Sequence, residues 1–412
     1  MPRLFDLCPN KLKQSSLKNF SIMALGTAIA LSPKFITAMS AEEAMRDYQA
    51  AIERAEANSD AFSIQLSELY MGLGRVLMND ENYPDAQRAL KRGMQIERVN
   101  FGLHSISQIP YLFLLADLDI LAGDAESAQK AMDSIYLLGR NNYGASDPRI
   151  LEILDKILNW QVAHYRANPG RGGLNYIVAA DIVSQRMSRL MKKSVPMEDP
   201  KTPIYYQKLA AVQYLVATHV DQYGLPTEAT FEITTNSSAQ TTSRSAAGLT
   251  YYRRGKAALI SRVESLSNQP GSDLIRQVNA IAQLADWYLV FGQSHAAIKA
   301  YGLAFETLLD EGVSEDVQSI FFSKPQKIEF NLPENNQDKP HKVLEVSALI
   351  TKRGRARDIQ FIDPPEDLSE EEMRSIRRSI QKSRYRPRLN EGNPEESPYK
   401  IFLARSGVGN QS

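Results

Sequence analysis

The sequence predicts a mainly α protein, in which an array of helical hairpins is followed by a small α+β unit. Three observations carry that reading. Large apolar and small residues recur at helical spacing through residues 41–311, and one stretch repeats itself at a fixed offset. Beyond Glu311 the helical period fades and prolines punctuate the chain. From Val343 onward apolar residues alternate as in strands, around one well-capped helix.

Residues 1–40 are expected to be a signal peptide and stand outside the fold. Lys11, Lys13 and Lys18 give a positive start, and Phe20 to Ser32 is an apolar, uncharged run. Ala38-Met39-Ser40 then places small residues where a cleavage site needs them, before Ala41. The run is shorter than the roughly 20 residues of a bilayer-spanning helix. Export would carry the mature chain across the inner membrane. The only cysteine, Cys8, lies in the removed segment, so the mature chain has no disulfide framework. The whole chain carries 48 basic and 48 acidic residues. Cleavage removes Arg3, Lys11, Lys13, Lys18 and Lys34 but only one acid, Asp6, and leaves a slight acidic excess. That balance offers no general attraction to nucleic acid or anionic lipid.

The repeat is read from paired landmarks. Ala86 and Ala128 lie 42 residues apart, as do Phe101-Gly102 and Tyr143-Gly144. Leu115-Ala116-Asp117 returns as Leu284-Ala285-Asp286, followed by Ala297, Tyr301 and Ala304. Each unit sets a large residue and a leucine before a small residue, then a turn, then a second helix with its own small residue. The small positions let partner helices approach closely. Tyr70, Leu73, Gly74, Tyr83, Ala86, Leu90 and Gly93 in the first copy resemble the tetratricopeptide pattern, with a spacing longer than usual, as in the kinesin light-chain type. Between these copies the helical period persists without the landmarks, broken by Pro169-Gly170, Pro196, Pro200 and Pro203. Residues 231–245, rich in Thr and Ser, read as an exposed loop or connector.

Residues 312–341, with Pro325, Pro333 and Pro340, read as a Pro-rich linker holding one short strand at 327–330. In 342–405 a strand at 343–350, a turn at Lys352-Arg353-Gly354-Arg355 and a strand at 356–362 have hairpin spacing. Ser369 and Glu372 form a capping box for a helix to about Lys382, with Met373, Ile376 and Ile380 on its apolar face. Ser397 to Ala404 is the last strand, and 406–412 is expected to be a disordered tail. Basic-Gly-basic turn, helix and the following Arg384-Tyr385-Arg386-Pro387 together resemble the TonB C-terminal domain, although Ser383 stands where that family usually has Trp. The resemblance implies a partner strand paired beside the final strand, with Tyr399, Ile401, Leu403, Tyr385, Arg386 and Arg378 as partner-binding residues.

Catalytic, cofactor and metal residues are expected to be none. His104, His164, His219, His295 and His341 lack metal-ligand spacing and read as surface or capping residues. Gly170-Arg171-Gly172-Gly173 lacks the preceding strand and the Lys-Ser/Thr of a phosphate loop, and reads as a helix break. Glu370-Glu371-Glu372 reads as a helix start, where negative charge suits the dipole. The expected function is a non-catalytic periplasmic adaptor or scaffold. It would bind protein or peptide partners of the envelope, with no nucleic acid and no small-molecule substrate, in support of transport across the envelope. The alternative is a TonB-type energy transducer held in the inner membrane by an uncleaved N-terminal segment.

Overall fold

The computed structural model describes residues 41–58, 60–224, 239–271, 273–310, 322–332 and 342–405. The expected signal peptide and tail lie outside the described residues, as do 231–238 of the Thr/Ser-rich stretch and 312–321 and 333–341 of the expected linker. Up to Asp310 the described chain is helical. Its elements are α1 (Ala41–Asn58), α2 (Ile64–Asn79), α3 (Tyr83–Phe101), α4 (Ile109–Leu121), α5 (Ala125–Tyr143) and α6 (Ile150–Ala167). They continue as α7 (Leu174–Ser194), α8 (Thr202–Tyr223), α9 (Ala239–Asn268), α10 (Leu274–Val290) and α11 (Ser294–Asp310). Neighbours in sequence are neighbours in space: α2 packs on α3, α4 on α5, α6 on α7, α8 on α9, and α10 on α11.

The 42-residue offset has a physical counterpart at two helix ends. α3 and α5 both stop at a glycine with positive φ, Gly102 at 93° and Gly144 at 89°, a conformation that a side chain would strain. Two residues earlier an asparagine ties each end to the preceding loop. Asn100 Nδ2 donates to the Phe62 carbonyl at 2.8 Å, and Asn142 Nδ2 to the His104 carbonyl at 2.6 Å. Donors and acceptors are thus both separated by the repeat length. The small positions act by allowing contact: a Cβ on Gly93 would come within 2.6 Å of the Tyr111 ring on α4. That tyrosine is buried and its hydroxyl donates to the Ser67 carbonyl at 2.7 Å, so burial pushes its pKa up to about 12.

Two sequence readings change in this half. The stretch read as a loop through Ser245 already belongs to α9 from Ala239, and α9 as a whole packs along α8. Ser and Thr have modest helix propensity, so a helix can run through them. His219 is a core residue at 3% exposure, with Nδ1 3.1 Å from the Tyr165 hydroxyl, instead of a surface group. Burial lowers its pKa.

The C-terminal unit holds a three-stranded antiparallel sheet in the order β3–β2–β7, built from β2 (Lys342–Ile350), β3 (Ala356–Ile362) and β7 (Ser397–Arg405). α12 (Glu370–Lys382) covers one face, with Ile380 buried among Leu344, Val346 and Ile401. Its capping box is complete: Ser369 and Glu372 exchange side-chain and backbone hydrogen bonds. Short strands β1 (Gln326–Lys327) and β4 (Tyr385–Arg386) pair with each other, as do β5 (Arg388–Asn390) and β6 (Asn393–Glu395). The β5–β6 turn has Glu391 at φ 49° and Gly392 at φ 78°, the paired positive values of a two-residue hairpin turn.

The linker reading is corrected where the structure describes it. Residues 322–332 are docked onto the helical array. Phe322 and Ile328 are buried with α10 and α11, and Leu332 joins the main helical core. Phe330 lies 5.1 Å from the Trp287 ring, edge-on, and 5.0 Å from Tyr214. Leu389, from the C-terminal unit, completes the same α10–α11 core. Ile328, Phe330 and Leu332, at alternate positions, find a surface to cover.

Candidate functional site

The sheet has two outer edges, and they differ. β7 pairs with β2 without interruption from Lys342↔Arg405 to Ile350↔Ser397. The β2–β3 register slips between Ser347 and Leu349, and Asp358 sits there at φ 52°. Among the described residues neither edge carries a further strand. A bulge with exposed Arg357 and Asp358 blunts the β3 edge, as natural sheets do to avoid pairing. β7 has milder guards, Pro398 near its start and Lys400, whose Nζ lies 2.6 Å from Glu345 Oε1. The regular edge that could accept a strand is β7.

Side chains alternate across β7. Ile401 is buried against α12's core, and Tyr399 and Leu403 are half-buried beside it. Phe402 points to the opposite face at 63% exposure. Ile401 therefore holds the strand in place and offers no surface to a partner, and Phe402 is the large apolar group on offer. Arg378 is exposed on α12.

Tyr385 and Arg386 correct the expectation most sharply. Both are buried, at 1% and 6% exposure, so neither is a surface for a partner. Arg386 reaches into the last helical hairpin. Its Nε donates to Asp286 Oδ1 at 3.0 Å and its Nη2 to Asp286 Oδ2 at 2.6 Å, a bidentate pair across 100 residues of sequence. Tyr301 donates its hydroxyl to the same Oδ1 at 2.6 Å, and Gln326 Oε1 accepts from Arg386 Nη1 at 3.3 Å. Burial would ease proton loss from Arg386, but the charge and hydrogen bonds of Asp286 override it and raise its pKa. Burial first, and then the Asp286 charge, raise the Tyr301 pKa well above that of a free phenol. Arg386 and Tyr301 therefore both keep their protons through the neutral range.

Tyr385 anchors the other side. Its backbone amide donates to the Gly354 carbonyl at 3.0 Å, and its ring meets Tyr399 edge-on at 6.0 Å. Gly354 has φ 68°, and a Cβ there would sit 2.2 Å from the Tyr385 carbonyl oxygen and 2.8 Å from the Leu289 side chain of α10. The basic-Gly-basic turn is thus wedged between the sheet and the helical array. Asp286 was the residue sequence reasoning missed. Its signal was the repeated Leu-Ala-Asp, used as a landmark and not as an ion-pair partner.

Among the described residues no group of three His, Cys, Asp or Glu side chains is placed to hold a metal ion. His164 stacks with Tyr176 at 5.4 Å and lies against Trp160 at 4.1 Å, with Nε2 3.6 Å from Asp117 Oδ1. No protein-family model matches the chain, and no curated protein shows significant similarity to it.

Proposed function

We propose that the protein is a non-catalytic periplasmic adaptor, a tetratricopeptide-type array that carries a TonB-C-terminal-like unit, and that β7 takes up a strand from an envelope protein. The observation that carries this reading is the unbroken β7 edge, unpaired among the described residues, with exposed Phe402 beside it. In such strand addition main-chain hydrogen bonds supply affinity, and side-chain contacts on alternate positions supply selectivity. The Asp286–Arg386 clamp supports the same reading, because it fixes that edge relative to the helical array instead of leaving it on a tether.

The test compares the two sheet edges. Phe402→Cys and Gln360→Cys would each be made in a Cys8→Ser background and labelled with a photoreactive maleimide. Irradiation in envelope extract should give a discrete protein adduct from position 402 and none from position 360. The same adduct from both positions, or from neither, would contradict strand addition at β7.

A further inference from the structure

Helices α7, α8 and α9 enclose an open cleft of about 340 Å³. α7 brings Arg189 and Lys192 to one wall, and α9 brings Arg253 and Arg254 to the other. Arg254 is held by Asp181, 3.3 Å away. Arg189, Lys192 and Arg253 are exposed and have no carboxylate at ion-pair distance among the described residues. Asp181 is already engaged by Arg254, Gln185 and Gln213, and Glu264, one turn beyond the cleft on α9, is the other acid nearby. The lining therefore carries a clear excess of positive charge.

The floor is polar where a helical core is normally apolar. Gln213 of α8, 3% exposed, donates from Nε2 to Asp181 Oδ1 at 2.9 Å and to Ser184 Oγ at 3.0 Å. Its Oε1 has no hydrogen-bond partner among the described residues. Turning the amide over would set that oxygen against the Asp181 carboxylate, so the orientation is fixed by chemistry. That oxygen can only accept, so it calls for a hydroxyl donor on a bound molecule and not for one of its anionic oxygens.

A basic wall is most often a solvated face. Concavity separates this one from that default, because low-dielectric walls focus the field of converging charges. The volume also falls within the roughly 300–1,000 Å³ of small-molecule sites. From Ser184 to Lys192 the wall runs eight residues, about 12 Å at 1.5 Å per residue, which suits one small molecule better than an extended peptide.

We propose that the α7–α9 cleft binds a small polyanion, a molecule of sugar-phosphate size with several anionic oxygens. Arg189, Lys192 and Arg253 supply the charge, and the hydroxyl-lined floor supplies orientation. This site is independent of the β7 edge, and it adds a small ligand to a chain whose sequence points only to protein partners.

Calorimetric titration of the full chain at low ionic strength tests it, with glucose 6-phosphate, citrate and a deca-glutamate peptide as separate probes. Saturable one-site binding of glucose 6-phosphate or citrate is expected, and the tighter of the two tells phosphate from carboxylate recognition. The Arg189→Ala/Arg253→Ala double variant should weaken that binding by about tenfold or more, as loss of two charged donors implies. Lys192→Glu should weaken it as well, and Arg374→Ala, a cation outside the cleft, should leave it unchanged. Circular dichroism would confirm that each variant keeps its helices. Absence of saturable binding of either small anion below about 1 mM would overturn the proposal. So would an equal loss in Arg374→Ala, unchanged affinity in the double variant, or binding confined to the peptide.

Discussion

The motif Leu-Ala-Asp occurs twice in the array, and the two aspartates have opposite fates. Asp117, on α4, stays 40% exposed at its side chain and accepts a hydrogen bond from Trp160 Nε1 at 2.7 Å, a residue of the next hairpin. Asp286, on α10, is sealed at 5% exposure and takes Tyr301 and the fork of Arg386. In both, the aspartate marks the place where the next structural unit docks. A helical hairpin follows Asp117, and an indole is enough. The C-terminal unit follows Asp286, and a buried charge is answered by a buried charge.

The largest expected effect breaks that contrast directly. Asp286→Ala would strand Arg386 in the interior and should destabilise the protein by about 3–5 kcal/mol, the range for one missing partner of a buried pair. Asp117→Ala removes a half-exposed hydrogen bond and should cost no more than about 1 kcal/mol. Urea denaturation of the two variants, compared at their midpoints, checks the difference. Gly354→Ala tests the second face of the same docking. The left-handed backbone and the short approach to the Tyr385 carbonyl make a loss of about 1–3 kcal/mol the expectation, with no change in the fold of α1–α5.

The smallest effect concerns a neutral buried group in the middle of the array. His219 has a lowered pKa when folded, so below the unfolded value of about 6.5 the unfolded chain binds a proton that the native site resists. The stability that neutral His219 contributes is present above that pH and is lost as pH falls through the folded pKa. Stability should therefore decline as pH falls from 7 toward 5, and His219→Gln should flatten that slope in thermal melts followed by circular dichroism.

Much of this architecture is legible in residue order, for reasons that differ by element. The capping box at Ser369 and Glu372 is local, so its helix follows from three residues of spacing. The β2–β3 hairpin follows from alternation and a glycine turn. The 42-residue period is legible because each helix end repeats its own local requirement, a left-handed glycine and an asparagine two residues before it. What local pattern cannot show is where a nonlocal partner lies. Arg386 and Tyr385 look like surface recognition residues because a charge and a phenol usually are, yet Asp286 and Gly354 turn them inward. Phe322, Ile328 and Leu332 sit among prolines and polar residues, and only the flank of α10 and α11 and, for Leu332, the main helical core give them a reason to be buried. The candidate site is divided in the same way. β7 could be placed from its alternation, but its unpaired edge and the outward turn of Phe402 depend on sheet order.

The helical array and the C-terminal unit are locked together through Asp286 and Arg386, so that β7 is presented at a fixed place. A double-mutant cycle with Asp286→Ala, Arg386→Ala and the combination measures that lock in the intact chain. Removing both partners leaves no stranded charge, so the combined loss should fall short of the sum of the single losses by about 2 kcal/mol. Losses that add to within about 0.5 kcal/mol would mean that the two side chains do not interact, and would contradict the docked arrangement.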